Sequence, residues 1–279
     1  MKNKQKLIKF EQKIYSKSLK IEIDNQIENS MKEEQLQTLK IISQNNEGLM
    51  PQKNKLIKSE LEPIGLYNLS LEKSINIQTI KSWIEIYLGL EVKILNLQLA
   101  LYYEKNDFYI YDIDHNQTYK LEKDDKDIIN VLSIFKVMIR VKPKNIQSFI
   151  VIVDQDIYDP YQPEANILGR AGNQKVCVVQ VQTELNDFYS TIVHELLHTL
   201  GFGHCKDQDC LMYANISTSM QLCQKHLQKL SSKKEVEELK RYKALLHISK
   251  QIGFHNECQK LEKLIKKVET QKDTLLQII

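Results

Sequence analysis

Long apolar runs are what this 279-residue sequence most conspicuously lacks. The longest is Phe149–Val153, far short of the roughly 20 residues a membrane-spanning helix needs. The first twenty residues carry lysines at 2, 4, 6, 9, 13, 17 and 20 and no apolar stretch of the kind a secretory signal requires. These absences set the expectation of a soluble, intracellular protein with no membrane partner, cytoplasmic or also nuclear. Charge of one sign is lacking too: 39 basic against 36 acidic residues leave +3, too little to argue for a nucleic-acid partner. Glycine (8) and proline (5) are few, and lysine, isoleucine, glutamine and asparagine abundant; this bias carries no functional weight. Internal repeats are absent. The five cysteines are an odd number, with Cys205, Cys210 and Cys223 close together, a pattern that in a reducing compartment reads as metal binding rather than a disulfide framework.

What is present divides the chain. Residues 1–60 are polar with a weak helical period (Leu7, Phe10, Ile14), and are expected to form an N-terminal extension, partly helical or disordered. Composition changes at Glu62-Pro63-Ile64-Gly65. Ser74–Leu88 repeats apolar residues every three or four positions and predicts a helix that Gly89 stops. Glu91–Gln98 and Phe108–Ile113 read as strands, Lys123–Val141 as a helix closed by Pro143, and Ser148–Asp154 as a buried strand. Lys175–Thr183 partly alternates, as a strand with one open side would. Phe188–Leu200 reads as a helix, and the chain past 215 as helical. The order predicts an α/β fold, a twisted mixed sheet with helices packed on it, over residues 61–230, followed by a helical extension at 231–279.

The chemistry concentrates between Tyr189 and Cys205, where HExxHxxGxxH is spelled out. Residues four apart on a helix share a face, so His194 and His198 can offer two nitrogens to one metal ion at about 2.0–2.1 Å. Glu195 lies beside the metal without binding it. Gly201 can take a left-handed backbone, end the helix and return His204 as the third ligand. Three histidines leave a coordination position open, the mark of a catalytic zinc site; a water there, acidified to a pKa of about 7, would give its proton to Glu195 as general base. At this composition the full pattern arises by accident about once in a hundred thousand chains, and a bare HExxH about once in a hundred. The expected function is therefore that of a zinc-dependent metallopeptidase acting on peptides or proteins. Two other readings stand beside it: a non-catalytic, zinc-stabilised peptide- or protein-binding module, and an HExxH hydrolase with a distant glutamate ligand.

Cys205, Cys210, Cys223 and His226 follow as a second candidate site. Three thiolates and one imidazole make a closed tetrahedral structural zinc site. Because Cys205 adjoins His204, that zinc would pin the loop presenting the third catalytic ligand. Two zinc ions are expected in all. Met212 is expected as an apolar floor beneath the histidines. Cys177, Cys258, His115, His247 and His255 have no ligand-like spacing, and Tyr213 is a possible oxyanion stabiliser by position only.

These residues together resemble the archaemetzincin family, whose motif runs HExxHxxGxxHCx4CxM and then CxxC after a spacer. His194 through Met212 match without a gap; the spacer here is shorter, and His226 stands where the family has cysteine. Pro63-Ile64-Gly65, Asp156-Ile157-Tyr158, Gly169-Arg170-Ala171 and Arg241–Leu246 resemble further family segments. The resemblance implies a compact metzincin fold with a cleft under an antiparallel edge strand, for which Lys175–Thr183 is the candidate, and a zinc metallopeptidase activity of aminopeptidase-like action.

Overall fold

A computed structural model of the chain describes residues 62–70, 75–163, 167–172, 175–214, 220–231 and 238–276. The expected N-terminal extension lies outside them. In chain order the elements are β1 (Ile64–Asn68), α1 (Ile77–Leu88), β2 (Val92–Ile94), β3 (Leu99–Glu104), β4 (Asp107–Asp112), β5 (Gln117–Lys120), β6 (Ile129–Asn130), α2 (Val131–Val141), β7 (Ser148–Val153), β8 (Ile157–Tyr158), β9 (Gly169–Ala171), β10 (Val176–Gln180), α3 (Leu185–Thr199), α4 (Gln224–Ser231), α5 (Glu238–Ile252) and α6 (His255–Leu276).

The main sheet runs β2-β1-β7-β10-β9. Its first four strands are parallel, and β9 pairs antiparallel with β10. It is thus the twisted mixed sheet that the element order implies. Because side chains alternate along a strand, the apolar runs serve two cores at once. Leu66, Ile150, Ile152, Cys177 and Val179 face one cluster, built with α1, α3, α5 and α6. Phe149, Val151, Val153, Val176 and Val178 face the other, built with α2 and the β3-β4-β5 meander. Each such side chain contributes about 1.5–3 kcal/mol by leaving water, so the central strands anchor both layers.

Three expectations need correction. The strand Lys175–Thr183 is not at the edge: β10 lies between β7 and β9, with Val176 through Val179 buried. The edge is Gly169–Ala171, three residues that follow no alternating pattern of their own. The helix expected from Lys123 begins only at Val131. Upstream, Asp124 Oδ1 accepts from the Lys126 and Ile128 N–H groups, and Asp127 takes a φ of 64°. This polar turn wins over helix, and the Asn130 side chain then caps α2 by accepting from Leu132 N at 2.9 Å. The strand expected over Glu91–Gln98 shortens to Val92–Ile94, and Leu99–Glu104 turns away into the meander through Lys105 and Asn106, both at positive φ.

Helix α1 starts at Ile77 because the Asn76 side chain accepts from Thr79 N, and it ends on Gly89 at a φ of 65°. The C-terminal helices form a hairpin packed on the domain: Tyr242, Leu245, Ile248, Phe254, Leu261 and Ile265 share the buried cluster of α1 and α3. Trp83 stands at its centre, with ring centroids 5.7 Å from Tyr189 and 5.8 Å from Phe254. Among the described residues no helix is long and apolar enough to cross a membrane.

Candidate metal centre

Helix α3 owes its placement to Ile192, Val193, Leu196 and Leu197, all buried in the cluster above. That orientation turns Thr191, His194, Glu195 and His198 to the opposite, half-buried face. The helix ends in a Schellman motif. Gly201 N–H donates to His198 O at 2.9 Å, Phe202 N–H donates to Leu197 O at 3.0 Å, and Gly201 takes a φ of +86°. The reversal carries the chain back, and exposed His204 meets the two helical histidines.

His198 Nε2 lies 3.0 Å from His194 Nε2 and 3.1 Å from His204 Nε2. The other ring nitrogens decide what these contacts mean. His194 Nδ1–H donates to Leu211 O, and His198 Nδ1–H donates to Phe202 O, each at 2.8 Å. With Nδ1 as the donor, Nε2 carries a lone pair. Lone pairs facing one another at this distance repel unless a cation sits between them. A tetrahedral zinc with Zn–N of about 2.0–2.1 Å would space its nitrogens about 3.3–3.4 Å apart, close to what is seen. Burial pushes His194 down to about 4 and also lowers His198, so both rings are held in the neutral form that binds metal. The donor set fits zinc, and among the described residues the side chain that joins His194 and His198 is His204, with no carboxylate in the group.

Glu195 lies on the same face, against the edge strand. Burial pushes its carboxyl up to about 7, opposed by the charge of Arg170 and by a hydrogen bond from the Ala171 backbone N–H. Arg170 is itself paired with buried Asp159, Nε to Oδ2 at 3.0 Å. Gly169 permits the strand to come this close: a Cβ there would stand 2.8 Å from Thr191 Cγ2 and 2.9 Å from Glu195 Cγ. The roles of Ala171 and Gly169 carried only a weak signal in the sequence, the short Gly169-Arg170-Ala171 segment. The two carbonyl acceptors carried none, because any residue supplies a backbone oxygen.

Beside this centre, Cys205, Cys210, Cys223 and His226 bring their donor atoms together. Cys205 Sγ is 3.8 Å from Cys223 Sγ, and His226 Nδ1 is 3.4 Å from Cys210 Sγ and 3.3 Å from Cys223 Sγ. Zinc with Zn–S of about 2.3 Å spaces its sulfurs about 3.8 Å apart. Burial pushes the Cys210 thiol up to about 12, while a backbone hydrogen bond near Asp207 lowers Cys205; a buried thiol of this kind ionises only when a metal takes the proton's place. The two clusters are one residue apart at His204–Cys205 and again at Cys210–Leu211. Met212 is fully buried, and its carbonyl accepts from Cys205 N–H at 2.6 Å. Tyr213 is half-buried, its N–H bonded to Cys210 O. Of the residues set aside, Cys177 and Cys258 are buried, His115 pairs with Asp112, and His247 with Gln251.

The chain thus combines a mixed α/β sheet, a helix bearing HExxH, a glycine turn to a third histidine and a buried methionine beyond. The chain is similar to proteins of the archaemetzincin family. It is 29% identical over 163 residues to the archaemetzincin of Pyrococcus horikoshii, covering 51% of this chain and 78% of that one. Among solved structures it is similar to the archaemetzincin from Methanopyrus kandleri, at 19% identity, 63% of this chain, 98% of that one and a TM-score of 0.46. A zinc-dependent peptidase from Methanocorpusculum labreanum is similar at 17%, 60%, 99% and 0.40. No family model matches the chain.

Proposed function

We propose that the chain is a zinc-dependent metallopeptidase hydrolysing peptide bonds, with His194, His198 and His204 holding the catalytic zinc and Glu195 as general base. The observation that carries the reading is the convergence of three Nε2 atoms whose helical partners have their Nδ1 protons committed to backbone carbonyls. Bound there, zinc would supply Lewis acidity to the scissile carbonyl and to water. Glu195 would take a proton from the attacking water and return it to the leaving amine. The Ala171 N–H would hold the carboxylate in place. Strand β9 lies at the sheet's edge, so an extended peptide can pair with its backbone, and affinity would then depend little on side-chain sequence. Cys205, Cys210, Cys223 and His226 would hold a second, structural zinc that fixes the loop between His204 and Leu211.

The test is cleavage of a mixed peptide library by wild type and Glu195→Gln, with metal content measured on both. The reading expects two zinc ions in each protein and cleavage by wild type alone, with aminopeptidase action seen as loss of residues from the amino end. Wild type that holds both ions and cleaves nothing would instead fit a zinc-stabilised binding module.

A further inference from the structure

The C-terminal hairpin reaches the metal centre through a short strap, Met220–Gln221. Leu211, whose carbonyl fixes His194 Nδ1, is gripped from its other side: its N–H donates to Gln221 O at 2.6 Å. Two buried polar side chains hold that strap. The Tyr87 hydroxyl of α1 donates to Met220 O at 2.6 Å, and the Gln221 side-chain amide donates to Glu257 Oε1 of α6. Arg241 of α5 completes the set, its Nε donating to Tyr87 O at 3.0 Å and its guanidinium lying 4.7 Å over the Tyr87 ring. Glu257 and Arg241 are each 6% exposed, and Tyr87 1%.

We propose that Tyr87 and Glu257 are positioning residues for the three-histidine metal centre, acting through Met220, Gln221 and Leu211 on the ring of His194. The inference rests on the metal-ligand half of the function proposed above. Packing the hairpin requires no polar groups: apolar side chains of similar volume are as good or better for stability. Burying a phenol, a carboxylate and a guanidinium costs free energy unless each finds a partner. Here the phenol hydroxyl and the carboxylate are both spent on one two-residue strap, and that strap's next hydrogen bond ends on a ligand's acceptor. Buried hydrogen bonds of this kind fix position rather than add net stability. Groups that orient a ligating histidine through its second nitrogen set metal affinity.

The experiment is titration of the metal-free full chain with Co2+ in wild type, Tyr87→Phe, Glu257→Ala, Glu257→Gln and His204→Ala. Thiolate-to-cobalt charge transfer in the near ultraviolet reports the cysteine site; both sites give visible ligand-field bands, and those that disappear in His204→Ala are assigned to the histidine site. Tyr87→Phe and Glu257→Ala are each expected to weaken Co2+ at the histidine site about tenfold and to shift its visible bands, with a smaller change at the thiolate site. Glu257→Gln, which keeps an oxygen acceptor, stays within about twofold of wild type. Affinities unchanged in both Tyr87→Phe and Glu257→Ala, or equal losses at both sites, overturn the proposal even if the melting temperature falls. If Glu257→Ala does not fold, Tyr87→Phe decides, since it removes a single oxygen. Should His204→Ala bind as much Co2+ as wild type, the metal-ligand reading fails and this inference with it. If wild type binds both ions but cleaves no peptide, only the peptidase reading fails.

Discussion

A methyl group on Gly169 would stand 2.9 Å from Cγ of Glu195, the residue proposed as general base. The same methyl would meet Thr191 Cγ2 at 2.8 Å and the Val178 carbonyl at 3.2 Å. Gly169→Ala therefore has to push strand β9 off helix α3 or push Glu195 aside. Overpacking of this kind costs about 1–3 kcal/mol of stability. The larger effect should be on turnover, because misplacing a catalytic group by about 1 Å can cost on the order of a hundredfold. Gly169→Ala should keep its metal content while kcat falls by at least about tenfold. Adding Thr191→Ser, which removes one of the clashing methyls, should recover part of the loss. Unchanged kcat in Gly169→Ala would show that the strand does not set the position of Glu195.

Gly201 presents the opposite case. Nothing lies within 4 Å of a Cβ built there, yet its φ is +86°. The cost of Gly201→Ala is conformational, about 1–2 kcal/mol, since an L side chain is strained in that region. Asparagine tolerates it better, so Gly201→Asn should cost less. Urea unfolding midpoints of the three proteins give the order Gly, Asn, Ala. Because the Schellman turn aims His204, metal affinity at the histidine site should fall in the same order. An alanine variant as stable as wild type would mean the turn can close in another way.

Glu257 makes stability depend on pH with a definite sign. Burial raises its carboxyl above the ordinary value of 4.5, against the lowering effects of Gln221, Lys260 and Arg241. A carboxyl whose folded pKa is raised binds its proton more tightly folded than unfolded. It therefore contributes most at acid pH, and that contribution is lost as pH rises from the ordinary carboxylate range through the folded value. Glu257→Gln carries no such proton and keeps the acceptor for Gln221. Its stability advantage over wild type should grow as pH rises above 4.5 and then level off. Denaturant unfolding at a series of pH values checks this; a difference that is flat with pH rules it out.

How much of this could be read from residues alone depended on whether the signal was local. His194, Glu195, His198, Gly201 and His204 lie within eleven positions, and each spacing has one geometric meaning on a helix with a glycine stop. Gly89, the buried run at Ser148–Val153 and the amphipathic C-terminal helices were local signals too. Neighbours in a sheet were not. Polar Gln180 and Gln182 make β10 look half-open, yet it is covered by β9, a strand too short to show a period. Lys123–Asn130 reads as helix together with the apolar run that follows it to Val141, but two aspartates turn the backbone first. Tyr87 and Glu257 sat on helices as ordinary polar residues; only their burial against a distant strap marks them out.

His226 gives the sharpest test of the second metal site, because it stands where the archaemetzincin motif has cysteine. It approaches the cluster through Nδ1, the ring nitrogen nearer the backbone, at 3.3 Å from Cys223 Sγ and 3.4 Å from Cys210 Sγ. A cysteine sulfur at 226 would fall about 1 Å short of that nitrogen, and the longer Zn–S bond, about 2.3 Å against 2.0–2.1 Å, makes up part of the gap. Helix α4 begins only two residues earlier and can absorb the remainder. His226→Cys should therefore keep two metal ions per chain, whereas His226→Ala should lose one. Loss at the thiolate site frees Cys205 and Cys210, which adjoin His204 and Leu211. His226→Ala should thus also weaken the histidine site, by on the order of tenfold. Elemental analysis after gel filtration counts the ions, and Co2+ titration separates the sites. Two tightly held ions in His226→Ala would exclude this residue as a ligand, and a single ion in His226→Cys would show that the site has been rebuilt around imidazole.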